Sequence, residues 1–310
     1  MAKWTVAEIP DQTGRRALIT GANSGIGYYA AVELARKGAH VLFASRDRAR
    51  GEAALARLRR EVPQASAELV LLELASLAKV RQFGETMLAQ GQPLDLLINN
   101  AGVMAPPQRL ETEDGFEVQF GTNVLGHFAL TALLFPLVQQ AAGAPRIVML
   151  ASIAHKRGRI DFEDLQATKT YSPMGTYQQS KLADLMLAFE MDRRLRAAGS
   201  PVLSVAAHPG VANTNLFHRK EYSALERALR QAMGKLFDVF LNTEEQGALP
   251  TLYAATAPEA VSGGYYGPQG FQEMRGGDVG PAKVAPQARD EAAARRLWQV
   301  CEELTGLSLL

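Results

Sequence analysis

The segment TGANSGIG, residues 20–27, decides the fold of this chain. It follows a short apolar run at 17–20 and opens a stretch, 25–37, whose apolar residues recur at helical spacing. Gly21 permits a tight turn, Gly25 lets the backbone approach a pyrophosphate, and Gly27 lets the helix pack closely. Free N–H groups at the start of a helix also attract negative charge. A strand, a glycine loop and a helix in this order predict a dinucleotide site, with Asn23, Ser24 and Ile26 as further contacts.

Outside this loop the chain alternates short strand-like runs with helical patterns. We predict strands at 17–20, 40–44, 68–72, 94–98, 146–150 and 202–206, and helices at 25–37, 47–61, 76–90 and 113–140. Gly38 and Gly91 stand where two helices would end. The strand runs are apolar throughout, as expected when helices cover both faces of a sheet. The prediction is an α/β Rossmann fold, a doubly wound parallel sheet of about seven strands with helices on both faces.

We interpret residues 1–310 as a single domain. Residues 14–210 form the cofactor-binding core with the catalytic residues, 211–262 a substrate-side helical insertion, and 263–310 the last strand and the C-terminal helix. The amphipathic pattern at 216–241 predicts helices over the substrate crevice. A surface helix without a lid role is the alternative.

Composition excludes several classes of partner. The 33 Lys and Arg nearly balance the 32 Asp and Glu, so a net charge of +1 gives no field that would attract nucleic acid or an anionic membrane. A single cysteine, Cys301, excludes an internal disulfide. The first residues lack an apolar leader, and the most apolar run, 127–138, is shorter than the ~20 residues of a bilayer span and contains Pro136. We therefore expect a cytoplasmic protein with no membrane span.

Tyr177 and Lys181 are the central candidates for chemistry. They are four residues apart in a predicted helix, 176–195, and so lie on one helix face. A neighbouring ammonium favours a phenolate, which suits a tyrosine to act as general acid or base. Ser152, directly after the fifth predicted strand, lies at the carboxyl edge of the sheet, where its hydroxyl can bond a developing oxyanion. Ser180 is a weaker alternative, because it turns away from Tyr177.

Ser45 and Arg46 end the second predicted strand, where an acidic residue would hold the adenosine ribose and repel a 2′-phosphate. A guanidinium at this place can instead bond a phosphate. NADP(H) is therefore the favoured cofactor and NAD(H) the alternative, since Asp47 would partly neutralise Arg46.

The spacing TGxxxGxG resembles that of the short-chain dehydrogenase/reductase superfamily, and further motifs match along nearly the whole chain. The matching residues are Asn99, Asn100, Ala101 and Gly102 after the fourth strand, Asn123, Ser152, Tyr177 with Lys181, and Pro209 and Gly210 with Thr214. The runs 115–130, 177–183 and 265–268 are similar to the retinol dehydrogenase and WW-domain oxidoreductase branch.

The resemblance implies roles for these positions. Asn123 would complete a proton relay through water to Lys181, which would also bind the nicotinamide ribose, and Thr214 would contact the carboxamide. Cofactor contacts are further implied for Asn100, Ala101, Gly102, Pro209 and Gly210. Glu73, followed by Leu74, replaces the aspartate that similar sequences place near the adenine.

The expected function is interconversion of a lipophilic carbonyl compound and its alcohol by hydride transfer, in a pocket that includes Met104, Pro106, Ile153 and Phe217. Two alternatives are kept: epimerase-type chemistry, whose glycine spacing TGxxGxxG differs, and a non-catalytic NADP-binding sensor or scaffold. His127, His155 and His208 fall in separate segments, so no metal site is predicted. Apolar residues of the Tyr177 helix, Leu182, Leu185, Met186 and Phe189, permit a helix-packed homodimer or face the sheet.

Overall fold

The computed structural model describes residues 3–211 and 242–310. Its strands are β1 (Arg16–Thr20), β2 (His40–Ser45), β3 (Ala67–Leu71), β4 (Leu96–Asn99), β5 (Arg146–Leu150), β6 (Leu203–Ala207), β7 (Tyr265–Pro268) and β8 (Val279–Pro281). Its α-helices are α1 (Gly25–Arg36), α2 (Arg48–Glu61), α3 (Leu77–Gln90), α4 (His127–Gln139), α5 (Pro173–Ala197), α6 (Glu244–Thr256) and α7 (Glu291–Thr305).

The strands form one sheet in the order β3-β2-β1-β4-β5-β6-β7-β8. The first seven are parallel and β8 is antiparallel to β7. The strand order reverses between β1 and β4, and in such a sheet ligands bind at the carboxyl ends of the strands beside this switch point. The predicted doubly wound α/β sheet is thus confirmed.

Helices bury both faces of the sheet in two apolar clusters. One cluster contains α1 and α2 with α6, which packs against α1. The other contains α3, α4 and α5, and α7 packs over the outer side of α5. Leu182, Leu185 and Met186 are buried in this second cluster. These three residues therefore face the core of the chain itself.

The helix predicted at 113–140 begins later than expected. Gly115, at φ +82°, lies in a turn closed by a bridge between Glu111 and Glu117. The buried Glu117 carboxylate accepts the backbone N–H groups of Gln119 and Phe120, at 2.9 and 2.8 Å, and so caps the helical segment. The first turns, Phe120–Gly126, are π-helical and run into α4.

The helix continues through Pro136, as the prediction of a helix over 113–140 requires. Within the described chain, the segment Phe120–Gln139 has the length and mean hydropathy, 1.4, of a bilayer-spanning helix. It is also 83% buried inside the fold, as the core helix of a globular protein would be.

The insertion predicted at 211–262 falls partly outside the described residues, including the whole amphipathic pattern at 216–241. Its described part contains α6, which packs against α1 and against strands β5 to β7. α6 is thus a layer helix of the sheet, placed opposite the face covered by α5.

Candidate active site

A cavity of about 450 Å³ opens at the carboxyl ends of the parallel strands. It gathers side chains and backbone from β1, α1, β2, β5 and α5 and from the loop after β4. The predicted residues that line it are Gly21, Asn23, Ser24, Gly25, Ile26, Gly27, Ser45, Arg46, Glu73, Leu74, Asn100, Ala101, Gly102, Ser152, Tyr177, Lys181, Pro209 and Gly210. Asn123 does not line it, and Thr214 lies outside the described residues.

The glycine loop has the geometry that a dinucleotide pyrophosphate requires. Gly21 and Gly25 adopt φ of +69° and +61°, which favour glycine. A Cβ on Gly27 would lie 2.4 Å from Nδ2 of Asn100 and 2.7 Å from the Gly21 carbonyl oxygen, so only glycine fits. Ser24 precedes α1 without capping it through its side chain, which leaves the N–H groups of the first turn for a ligand. These residues fit a bound dinucleotide.

Thr20, which sequence reasoning did not single out, joins this loop to the one after β4. Its hydroxyl oxygen accepts the N–H groups of Asn100 and Ala101, both at 2.9 Å, and its carbonyl accepts Nδ2 of Asn100 at 2.7 Å. The two loops on either side of the switch point therefore form one rigid wall of the cavity.

At the end of β2 two arginines face the same cavity. Arg46 is exposed there, and Arg50, one turn along and missed by sequence reasoning, also lines it. The Asp47 carboxylate caps α2 by accepting the N–H of Arg50 at 2.9 Å, so the carboxylate lies against the first turn of the helix backbone. Glu73 accepts the N–H of Ala75 at 3.0 Å while it lines the cavity.

Tyr177 and Lys181 lie near the start of α5, whose N-cap is Ser172. Tyr177 is half-buried on the cavity wall, whereas Lys181 is 5% exposed. The Lys181 ammonium donates to the carbonyl oxygen of Leu150 and to the Asp184 carboxylate, both at 2.8 Å. Lys181 is therefore anchored both to the end of β5 and to its own helix.

The carboxylate of Asp184 was not predicted as part of the site. Asp184 is 1% exposed and stands one turn after Lys181. Burial raises its pKa to about 6 despite the opposing effect of Lys181. Burial alone would lower the pKa of Lys181, but the Asp184 carboxylate and Tyr177 raise it above its ordinary value. The one signal in the sequence is an acidic residue inside an otherwise apolar run, 182–188.

The two serines occupy different places. Ser152 follows β5 on the cavity wall, where its hydroxyl accepts only the Ala154 N–H, at 3.2 Å, among the described residues. Ser180 is fully buried and donates to the Tyr177 carbonyl at 2.9 Å. Of the two serines, Ser152 is the one that lines the cavity together with Tyr177.

Asn123 lies in the π-helical turns and is fully buried. Its side chain holds the backbone of Val103 at 2.8 and 3.0 Å and donates to the Ser180 hydroxyl at 3.0 Å. The backbone carbonyl oxygen of Asn123 contacts Nδ1 of His127 at 2.9 Å, and Nε2 of His127 contacts the Thr20 hydroxyl at 2.9 Å. Burial lowers the pKa of His127 to about 4, so this imidazole is neutral. Asn123 thus joins the loop after β4 to α5 from behind the cavity.

The turn after β6 closes the cavity at Gly210, whose φ is +71°. A Cβ there would lie 2.4 Å from the Met274 carbonyl oxygen. Gly210 donates its N–H to Nδ1 of His208 at 3.2 Å, and Asn242 donates to the Pro209 carbonyl at 2.9 Å. In the ranges 3–211 and 242–310, no group of three or more His, Cys, Asp or Glu side chains is placed to hold a metal ion.

The described substrate side of the cavity is mainly apolar. Met104 and Ile153 line it as predicted, together with Val103, Met174 and Val211. Pro106 is absent from the wall, and its carbonyl accepts the Tyr171 hydroxyl at 2.6 Å. Phe217 lies outside the described residues.

Comparison with known proteins agrees with this geometry. The family model described as short chain dehydrogenase matches residues 15–224. The chain is 41% identical to human retinol dehydrogenase 14, over 95% of this chain and 87% of that protein. It is 42% identical to mouse polyprenol dehydrogenase, over 96% and 86% of the two chains. A solved structure of an uncharacterised protein from Mycobacterium paratuberculosis is 38% identical, with a TM-score of 0.80 and full coverage of both chains.

Proposed function

From the premise that this chain belongs to the short-chain dehydrogenase family, we propose that it is an NADPH-preferring reductase of lipophilic aldehydes or ketones, with Tyr177 as general acid. Membership makes the chain an NAD(P)-dependent oxidoreductase of alcohols and carbonyl compounds, of the retinol dehydrogenase-like branch. One observation carries the finer proposal: Tyr177, Lys181 and Ser152 line the same cavity as the glycine loop.

The nicotinamide cofactor supplies the hydride in reduction and accepts it in oxidation. The residues of this chain must then handle the proton and the charge on the substrate oxygen. Ser152 offers a hydroxyl to that oxygen, and Tyr177 donates a proton to it in reduction or removes one in oxidation. Lys181 supports the phenolate of Tyr177 with a positive charge in a site where burial strengthens electrostatic interactions.

Two features support a preference for NADPH. Arg46 and Arg50 both face the cavity beyond the end of β2, where a 2′-phosphate would lie. Asp47 also lines this wall, where its carboxylate caps α2 and lies 3.7 Å from the Arg50 guanidinium. Two guanidinium groups against one carboxylate at the end of β2 favour a phosphate over free ribose hydroxyls.

The apolar wall supports a lipophilic substrate. Met104, Ile153 and Met174 give this part of the cavity adaptable apolar surface. The relatives named above are, by their names, dehydrogenases of retinol and polyprenol. We extend that substrate class, an alcohol or carbonyl group on a long apolar body, to this chain.

The test is a purified-protein assay with NADPH and NADH against a panel of retinoid, polyprenoid and fatty aldehydes and alcohols. Tyr177→Phe should lower kcat by about 100- to 10,000-fold, because it removes the proton donor, while NADPH binding by fluorescence is kept. Tyr253→Phe is the matched control, since Tyr253 lies on α6 away from the cavity wall. A Tyr177→Phe enzyme that turns over as fast as wild type would overturn the proposed mechanism.

A further inference from the structure

We propose that Asp184 is a positioning residue that holds the ammonium of Lys181 charged and in place beside Tyr177. This inference rests on the proposed function, because it assigns to Asp184 a part in the same proton chemistry. It starts from the contact of 2.8 Å between the Lys181 ammonium and the Asp184 carboxylate.

The contact fixes where the ammonium can lie. An ammonium has three N–H donors. In Lys181 one donor is held by the Leu150 carbonyl, two residues before Ser152, and another by Asp184. Since Lys181 lines the cavity, the third is left for a ligand there. These two hydrogen bonds within the chain thus hold the Lys181 ammonium at the carboxyl end of β5, the edge of the sheet where Ser152 also lies.

The contact also explains why a nearly buried lysine stays charged. Lys181 is 5% exposed, and an unpaired ammonium at such a site loses its proton readily. The other titratable groups around the pair are Tyr177 on α5, His127 at the start of α4 and Cys301 on α7. Burial lowers the pKa of His127 to about 4 and raises the pKa of Cys301, so both are neutral near pH 7. Asp184 therefore supplies the negative charge beside Lys181.

The pair is poorly explained as a stabilising element. Oδ1 of Asp184 has no hydrogen-bond partner in the described part of the chain. A buried ion pair with an unsatisfied oxygen commonly stabilises a fold less than apolar side chains of similar size would. A role at the cavity explains why the charged Asp184 side chain is buried at a place where it contributes little to the stability of the fold.

The first test compares Asp184→Asn with the matched variant Asp192→Asn. Asp192 is also a buried aspartate of α5, but it binds Arg196, at 2.9 Å, away from the cavity. The readout is kcat/KM for alcohol oxidation as a function of pH. Asp192→Asn should match wild type. Asp184→Asn should have its alkaline limb moved down by about one pH unit, with a loss of about tenfold at pH values above that limb, because Lys181 then gives up its proton more readily.

The same profiles test the charge of Asp184 itself. Below about pH 6 the wild-type carboxyl takes up a proton, so the profiles of wild type and Asp184→Asn should converge there. A loss that is constant across pH, or an equal loss in Asp192→Asn, would show that Asp184 acts only through packing and would overturn the proposal.

A second test needs no turnover and so separates this inference from the proposed function. Lys181→Met should lower Tm, because it leaves the buried Asp184 unpaired, and adding Asp184→Asn should restore part of the loss. Asp184→Asn alone completes the cycle. If the loss in the double variant equals the sum of the two single losses, the two side chains are not coupled and the inference fails. If the cycle shows coupling but wild type turns over no carbonyl compound, only the proposed function is overturned.

Discussion

At the adenosine end of the cavity, single side chains decide which charge the protein offers to a cofactor. Arg46 precedes α2, Arg50 lies in its first turn, and both line the same wall. Asp47 between them lines this wall too, and its carboxylate accepts the N–H of Arg50 and lies 3.7 Å from the Arg50 guanidinium. Two guanidinium groups against one carboxylate therefore leave a net positive charge on the wall at the end of β2.

We expect Arg46→Asp to shift preference from NADPH toward NADH. The change removes a charge-assisted contact worth about 1.5 to 3 kcal/mol and adds repulsion, so KM for NADPH should rise roughly 10- to 100-fold. Arg48→Asp is the matched control, because Arg48 alters charge equally but lies off the cavity wall, 3.5 Å from Glu52. An unchanged ratio of kcat/KM for the two cofactors in Arg46→Asp would contradict the assignment.

For single residues, the sequence could predict only those relations that follow from the interval between two positions. Tyr177 and Lys181 were predictable as one helix face, since the interval of four residues alone determines it. Asp184 was not, because its importance follows from burial and from the Leu150 carbonyl, which belongs to a distant segment. Asn123 was identified by resemblance, yet its side chain holds Val103 and Ser180 behind the cavity.

Among the elements, those with regular hydrophobic patterns were predictable and those set by tertiary contacts were not. β1, β2 and β5 are inner strands that are almost wholly buried, and their predicted positions agree with the structure within one residue. The three-residue β8 has no pattern of its own and exists because it pairs with β7. The helix predicted from residue 113 starts later because the Glu117 carboxylate caps the chain at Gln119 and Phe120, a contact without periodicity.

The helix α7 is the element whose packing is most directly testable. Trp298 is fully buried, packs edge-to-face on Phe128 at 5.1 Å between ring centroids, and lies under the Arg194 guanidinium. Trp298→Ala should lower the free energy of unfolding by about 3 to 5 kcal/mol in urea titrations. Gln299→Ala, at the exposed neighbouring position, is the control and should change it by less than about 0.5 kcal/mol. Equal stabilities for the two variants would show that α7 contributes little to the core.

Over the whole molecule, buried ionisable groups couple stability to pH in two opposite directions. Burial lowers the pKa of His127 to about 4 and that of His208 to about 3, and it also lowers the pKa of His155. These imidazoles bind protons in the unfolded chain but not in the native one, so they favour the fold above about pH 6.5 and oppose it as pH falls. Burial raises the pKa of Asp184 to about 6 and also raises that of Glu117. These two carboxyls bind protons in the native chain before they do so in the unfolded one, so they favour the fold as pH falls from about 6 to 4.

The histidines outnumber the two carboxyls, so we expect the free energy of unfolding to fall as pH falls from 7 to 5, by about 3 kcal/mol. Urea titrations at fixed ionic strength across this range measure the slope. His208→Gln should reduce the slope of the free energy of unfolding against pH by the equivalent of up to about one bound proton. The reason is that Nε2 of His208 is buried without a hydrogen-bond partner in the described chain and so resists protonation. His40→Gln is the control, since the His40 side chain is 37% exposed at the start of β2. A slope that His208→Gln and His40→Gln change equally would mean that burial of the imidazole at position 208 does not set the acid sensitivity of this fold.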